Sequence, residues 1–287
     1  MNIQSLSIVV PCGDHCWNNC KFCVSRMHHE DYGKSIISPT SIPQSYMDRV
    51  QWCRDEGCNA LIFTGTTEPQ QNLPFIYKFM HYQWDLRKPF YNISMQTTGS
   101  NLNYTDIEEL AKAGITTIAL SISSFDDVRN WDIIQTPQKL RIMTLESIIH
   151  CAKENNLNVR ACINLTDEFY TMSFNPESFF SWANQNKVDQ LTFRKIYKDG
   201  DNEKSKWIAQ HEFPEERFIK IQTYIRSHGV PIARLPYGFI QYSVNGISTV
   251  IDDNCMSKDN IEEMKYAILR PNGHLYSRWD DTGSLIF

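Results

Sequence analysis

Short apolar, β-favouring runs recur at residues 6–10, 60–63, 92–96, 115–122, 158–165 and 190–196. Stretches with helical spacing lie between them, at 40–57, 106–114, 140–156 and 176–186. Strand and helix thus alternate about six times. Parallel strands cannot be joined by tight turns and need crossover connections, so this alternation predicts a parallel sheet with helices packed on it. In β/α barrels the functional side chains sit at the C-terminal ends of the strands. Polar residues recur at those ends here, which makes them the places to search for chemistry.

The first such end is the densest. Directly after residues 6–10 comes Cys12-Gly13-Asp14-His15-Cys16-Trp17-Asn18-Asn19-Cys20-Lys21-Phe22-Cys23, with four cysteines in twelve residues. Cys16, Cys20 and Cys23 have the spacing C-x3-C-x2-C. Three thiolates this close can hold three corners of a cuboidal iron–sulfur cluster and leave the fourth iron open. A structural zinc site would also use four cysteines, with Cys12 as the fourth, but such sites draw two pairs from separate parts of a chain and no second pair exists. The total of nine cysteines is odd, and no export signal precedes them, which argues against a disulfide framework. Pro11, Gly13 and Asn18-Asn19 mark the stretch as a loop rather than a helix.

Cys16-x3-Cys20-x-Phe22-Cys23 resembles the signature of the radical SAM superfamily, including the aromatic residue before the last cysteine. The resemblance extends over roughly residues 5–200. It implies a partial (β/α)6 barrel, a [4Fe–4S] cluster on Cys16, Cys20 and Cys23, and S-adenosylmethionine chelated to the open iron. One-electron cleavage then yields methionine and a 5′-deoxyadenosyl radical. Further matches follow along the chain. Gly65-Thr66-Thr67-Glu68-Pro69 resembles the GGE-type segment that grips the methionyl amino group, with Thr where Gly is usual. Thr97-Thr98-Gly99 resembles a Thr-Asn-Gly strand end, and Ser121, then Ser123, match the polar residue that touches the ribose. The resemblance therefore implies that Phe22, Gly65, Thr66, Thr67, Glu68, Thr97, Ser121, Ser123 and Asn164 bind the cofactor. Cys12 is expected beside the cluster rather than on it.

Arg160 lies inside an apolar strand, where an unpaired charge is expensive, so it predicts a carboxylate partner from the protein or from bound methionyl. Arg160, Asn164 and Arg194 are read as cofactor contacts or substrate anchors. His28-His29 reads as a polar loop near the cluster.

After residue 200 the pattern changes. A helix at 213–229 is stopped by Gly229. Two hairpins with Asn-Gly turns then pair 239–244 with 247–251 and 265–270 with 274–279. The chain divides on this reading into a barrel, 1–200, and a β-rich extension, 201–287, that covers the barrel mouth. Tyr237, Phe239, Tyr242, Tyr266, Tyr276 and Trp279 accompany Arg278 there; such a set suits a flat or anionic substrate or completes the core. Cys255 is the extension's one cysteine, which argues against a second cluster.

Net charge is −5 with no Lys/Arg run, so a long nucleic-acid partner is not expected. No apolar run has the length of a membrane span. Free thiols and an oxygen-sensitive cluster fit the cytoplasm. The expected activity is radical cleavage of adenosylmethionine, applied to a small organic substrate that is nucleotide-like or phosphorylated. The electron donor would be a flavodoxin or ferredoxin. A peptide-modifying enzyme is the alternative, then a glycyl-radical activase, for which the usual Asp-x-Lys is replaced by Ser121-Ile122-Ser123. A non-catalytic cluster or zinc scaffold comes last.

Overall fold

The computed structural model describes residues 2–13, 15–27, 31–38, 41–169, 174–235, 238–252 and 263–287. Six strands, β1 (Asn2–Val9), β2 (Ala60–Thr64), β3 (Asn92–Thr97), β4 (Thr117–Ile122), β5 (Asn158–Leu165) and β6 (Gln190–Lys195), pair in sequence order and all run parallel. The crossovers carry α1 (Gln44–Asp55), α2 (Leu73–Gln83), α3 (Tyr104–Lys112), α4 (Asp127–Ile134), α5 (Leu145–Glu154) and α6 (Glu177–Gln185). α7 (Glu203–Gln210) and α8 (Glu215–His228) follow β6.

Three of these helices, α2, α4 and α7, are absent from the periodicity reading. α2 is crowded with aromatic residues and has a proline in its first turn, and α4 has only eight residues. The helix expected over 40–57 begins later, at Gln44. Its N-cap is Pro43, with no side-chain cap, so Ser41 does not serve as one.

Gly229 ends α8 as expected, but in extended backbone (φ −95°), and it begins strand β7 (Gly229–Arg234). A Cβ there would lie 2.4 Å from the Ile225 carbonyl oxygen. β8 (Ile240–Val244) and β9 (Ile247–Asp252) form the first expected hairpin. Asn245 (φ 51°) and Gly246 (φ 83°) both take the left-handed region, as a type I′ turn requires. The second hairpin joins β10 (Glu263–Leu269) to β11 (Leu275–Tyr276), but by a longer connection. Gly273 donates to the Arg270 carbonyl across Pro271-Asn272, and Gly273 alone of that pair has positive φ.

Both hairpins extend the same sheet. β9 pairs parallel with β6, and β10 pairs parallel with β1, giving the order β11-β10-β1-β2-β3-β4-β5-β6-β9-β8-β7. β9 and β10 therefore stand at opposite ends of the eight-strand parallel run. Their side chains nevertheless meet: Lys265 Nζ of β10 is 2.8 Å from Asp252 Oδ1 of β9, with 2% and 5% of those residues exposed. The sheet is an open, partial barrel whose two ends are bridged by a buried ion pair.

Alternation along the strands separates two faces. Leu6, Leu61, Phe63, Ile93, Met95, Ile118, Val159, Ile163 and Phe193 join the helices in one apolar core. The other face is polar, with Ser7, Gln96, Ser121, Cys162, Asn164 and Arg194. Barrel interiors are ordinarily filled by bulky aliphatic residues. The polar interior here marks a binding chamber.

Candidate active site

A cavity of about 490 Å³ opens at the C-terminal ends of the strands, a size usual for small-molecule sites. One wall is the loop after β1, where Cys16, Cys20 and Cys23 all line the cavity beside Phe22. The loop is held by bonds from distant segments. Gln71 Nε2 donates to the His15 carbonyl (3.1 Å) and Arg26 Nη2 to the Asn18 carbonyl (3.0 Å). The Lys21 amide donates to the Ile133 carbonyl (3.0 Å). Trp207 of α7 lies 6.4 Å from the Phe22 ring.

The three thiols are close enough to perturb one another. Burial, with the neighbouring Cys23 and Glu68 charges, holds Cys20 far above the usual thiol range. Burial pushes Cys16 up to about 11. Thiols in this state ligate only when a bound cation compensates the thiolate. Among the described residues no three His, Cys, Asp or Glu side chains converge tightly enough for a single ion. A four-iron cube does not need that convergence, because each cysteine binds a different iron. The donor set fits such a cluster. Cys12 does not line the cavity: its thiol lies 3.7 Å from the Glu68 carbonyl oxygen and packs against the apolar core.

Glu68 follows β2 and is buried. Thr97 Oγ1 donates to Oε2 (2.8 Å), as does the Thr98 amide (3.2 Å), and Asn18 Nδ2 lies 3.1 Å from Oε1. Burial raises its pKa, and these donors pull it back. An arriving ammonium would complete the compensation. Gly65, at φ 154°, is required where it stands, since a Cβ would meet Val9 Cγ1 at 3.3 Å. Thr66 and Thr67 complete this edge of the cavity, and the Thr67 side chain interacts with the Cys12 thiol. A buried carboxylate at the edge of the cavity fits a cationic ligand.

Of the other expected contacts, Ser121 and Asn164 line the cavity. Thr97 does not, and acts on Glu68. Ser123 is buried behind Asn164, whose Nδ2 donates to its hydroxyl at 3.3 Å. Arg194 lines the cavity and lies 3.9 Å from Asp252. Arg160 lies below the lining, and the protein side chain it meets is not a carboxylate but the neutral Gln190, with Oε1 at 2.7 Å. Arg278 is outside the lining and pairs with Asp280 at 3.2 Å. His28, His29, Tyr237 and Cys255 fall outside the described residues.

Several functional-looking residues carry no sequence signal. Asn18 is a buried hub: Nδ2 faces Glu68, Thr98 and Ser100, and Oδ1 accepts from Thr136 Oγ1 at 2.9 Å. In the sequence it reads only as a loop residue between cysteines. Tyr32 and Arg270 also line the cavity, joined by Tyr266 and Trp279 from the C-terminal region. The Arg270 guanidinium lies 3.3 Å from the centre of the Tyr32 ring and donates to the Trp279 carbonyl (2.8 Å). Only a 238-residue long-range contact brings Arg270 to Tyr32.

A parallel partial barrel with three loop cysteines and a buried glutamate at its C-terminal rim defines a class of cluster-binding proteins. The family comparison makes the assignment specific: residues 10–166 match the model for the radical SAM superfamily, and the chain belongs to that superfamily. Its members use a [4Fe–4S] cluster and S-adenosylmethionine. No curated protein matches the chain. Among solved structures, Streptococcus suis SuiB bound to S-adenosylmethionine aligns with TM-score 0.63 at 12% identity, over 96% of this chain and 60% of that one. The anSMEcpe enzyme with bound AdoMet aligns with TM-score 0.60 at 12% identity, over 96% and 74%. HydG, a maturase of the [FeFe]-hydrogenase, gives 0.55 at 14%, over 77% and 48%. The chain thus spans about three-fifths of the length of SuiB. No described helix is long and apolar enough to cross a membrane.

Proposed function

We propose that the chain is a radical SAM enzyme acting on a small organic substrate, nucleotide-like or phosphorylated, inside the barrel. Bound together, the cluster and adenosylmethionine supply reductive carbon–sulfur cleavage and the radical that follows. Cys16, Cys20 and Cys23 hold the cluster. Glu68, preset by Thr97, Thr98 and Asn18, takes the methionyl ammonium, with Thr66 and Thr67 beside it and Phe22 against the adenine. Ser121 and Asn164 take the ribose side. The electron comes from a flavodoxin- or ferredoxin-like carrier, and the setting is cytoplasmic.

The observation that carries this reading is a single cavity lined by the three thiols, Glu68, Arg194 and Arg270 together. A cavity of about 490 Å³ is of the size that small-molecule sites have. The C-terminal region, 201–287, supplies Tyr266, Arg270 and Trp279 to the wall, which supports its role as the cover that keeps water and stray hydrogen donors out. Anaerobic reconstitution with iron and sulfide, followed by adenosylmethionine and dithionite, tests the core of the proposal. The expected product is 5′-deoxyadenosine; a cluster-loaded protein that releases none overturns it.

A peptide substrate is the second reading. It is favoured by the neighbours, since SuiB is also known bound to the precursor peptide SuiA and anSMEcpe bound to the Cp18Cys peptide.

A further inference from the structure

Beneath the cavity, the chamber floor holds a cation with no carboxylate partner among the described residues. Gln96, Ala119, Arg160 and Gln190 occupy one continuous ladder position across β3, β4, β5 and β6. Gln96 lines the cavity. Between it and Arg160 stands only the methyl group of Ala119, so the sheet leaves room over that position.

Arg160 is packed round by protein, yet it keeps some accessible surface. Alternation along β5 puts Arg160 on the same face as Cys162 and Asn164, the interior face, below the residues that line the cavity. Its one hydrogen bond among the described residues is to the neutral Gln190 side chain, and no described carboxylate lies within ion-pair distance. Arg194, another cation, and Tyr266 are its electrostatic neighbours, and both line the cavity. Asp252, on the strand beside β6, is 2.8 Å from Lys265 and 3.9 Å from Arg194.

Arginine does not escape a buried position by losing its proton, so its charge needs a counter-ion. Planar guanidinium groups match the oxygen pairs of carboxylate and phosphate. Glu68, which would hold the methionyl end, follows β2, three strands away from β5. Binding measured with adenosylmethionine already in place separates an anion on the floor from the methionyl carboxylate.

We propose that Arg160 and Arg194 form an oxyanion subsite on the chamber floor, which anchors a carboxylate or phosphate of the substrate below the radical's point of attack. This rests on the reading of the cavity as a substrate chamber and narrows it to anionic substrates. Asn164, above Arg160 on the same face of β5, and Gln96 complete the polar lining.

The test uses cluster-loaded protein with saturating adenosylmethionine, titrated calorimetrically with inorganic phosphate in one arm and malonate in the other. Saturable binding of either probe is expected, weakened at least tenfold by Arg160→Gln, and less by Arg160→Lys, which keeps the charge but not the fork. Exposed Arg87→Gln should match the parent. Phosphate binding alone assigns a phosphorylated substrate, malonate binding alone a carboxylated one. Should Arg160→Gln fail to load its cluster, Arg194→Gln takes its place with the same expected loss. Absence of binding by both probes, or equal affinity in the parent and the Arg160→Gln or Arg194→Gln protein, overturns the subsite. Formation of 5′-deoxyadenosine in the same samples is judged separately: its absence counts against the enzymatic reading and leaves the titration to decide the subsite.

Discussion

The two sides of the cavity are built by different physics. On the β2–β3 side, the polar groups around Glu68 are tied to one another. Glu68 has three donors, Asn18 joins four partners, and Trp17 Nε1 donates to Ser100 at 3.0 Å. On the β5–β6 side, cations predominate, and the nearest acid, Asp252, is shared between Lys265 and Arg194. A fully bonded network holds one geometry before any ligand arrives. A chamber wall rich in arginine and lysine selects its ligand by charge. The contrast fits a side that always meets the same cofactor, opposite a side that defines a substrate.

The largest effect that can break this contrast is at the thiols. Cys16→Ala, Cys20→Ala or Cys23→Ala should each abolish cluster incorporation, read as loss of the iron–sulfur visible absorption, whereas Cys12→Ala should retain it. A colourless Cys12→Ala protein would move that thiol into the ligand set.

Next comes the bridge between the two ends of the parallel run. Lys265→Met leaves Asp252 buried with Arg194 at 3.9 Å as its remaining cation. Breaking a buried pair on one side costs about 3–5 kcal/mol, which thermal or denaturant unfolding should register. Unchanged stability would mean that the bridge does not hold the barrel ends.

Glu68→Gln sharpens the comparison from the cofactor side. It keeps the shape but removes a charge-assisted bond, so adenosylmethionine binding should weaken by about 1.5–3 kcal/mol, with the cluster intact. Titration showing the parent affinity would remove Glu68 from the binding set.

The smallest effect on turnover belongs to Arg278. Its partner Asp280 is two residues away in sequence, with the arginine side chain 36% exposed and the aspartate side chain 7%. Arg278 lies outside the cavity lining. Arg278→Ala should leave turnover near the parent, while loss of a partner for the buried Asp280 lowers stability. A large loss of turnover would return it to the substrate wall in place of Arg270.

Local chemistry made much of this legible without a structure. Strand patterning located all six central strands, because a strand buried on its outer face writes its apolar residues into a short run. Type I′ geometry at Asn245-Gly246 was written in two residues that tolerate positive φ. C-x3-C-x2-C with a preceding phenylalanine pointed to the cluster loop, because metal ligation fixes both residue type and spacing.

What sequence could not determine depends on contacts between distant segments. Nothing local says that one C-terminal hairpin joins β6 and the other joins β1, because strand edges recruit partners by geometry and not by sequence distance. Arg270 rather than Arg278 lines the cavity because the Pro271-Asn272 turn and the Tyr32 ring fix where the chain folds back. Asn18 becomes the hub of four bonds only once β2, β3 and the segment before Pro137 surround it. Arg160 announced itself as a costly buried charge, and its sequence context promised a carboxylate. Only the tertiary structure put the neutral Gln190 there, because register in the sheet decides which side chain stands opposite.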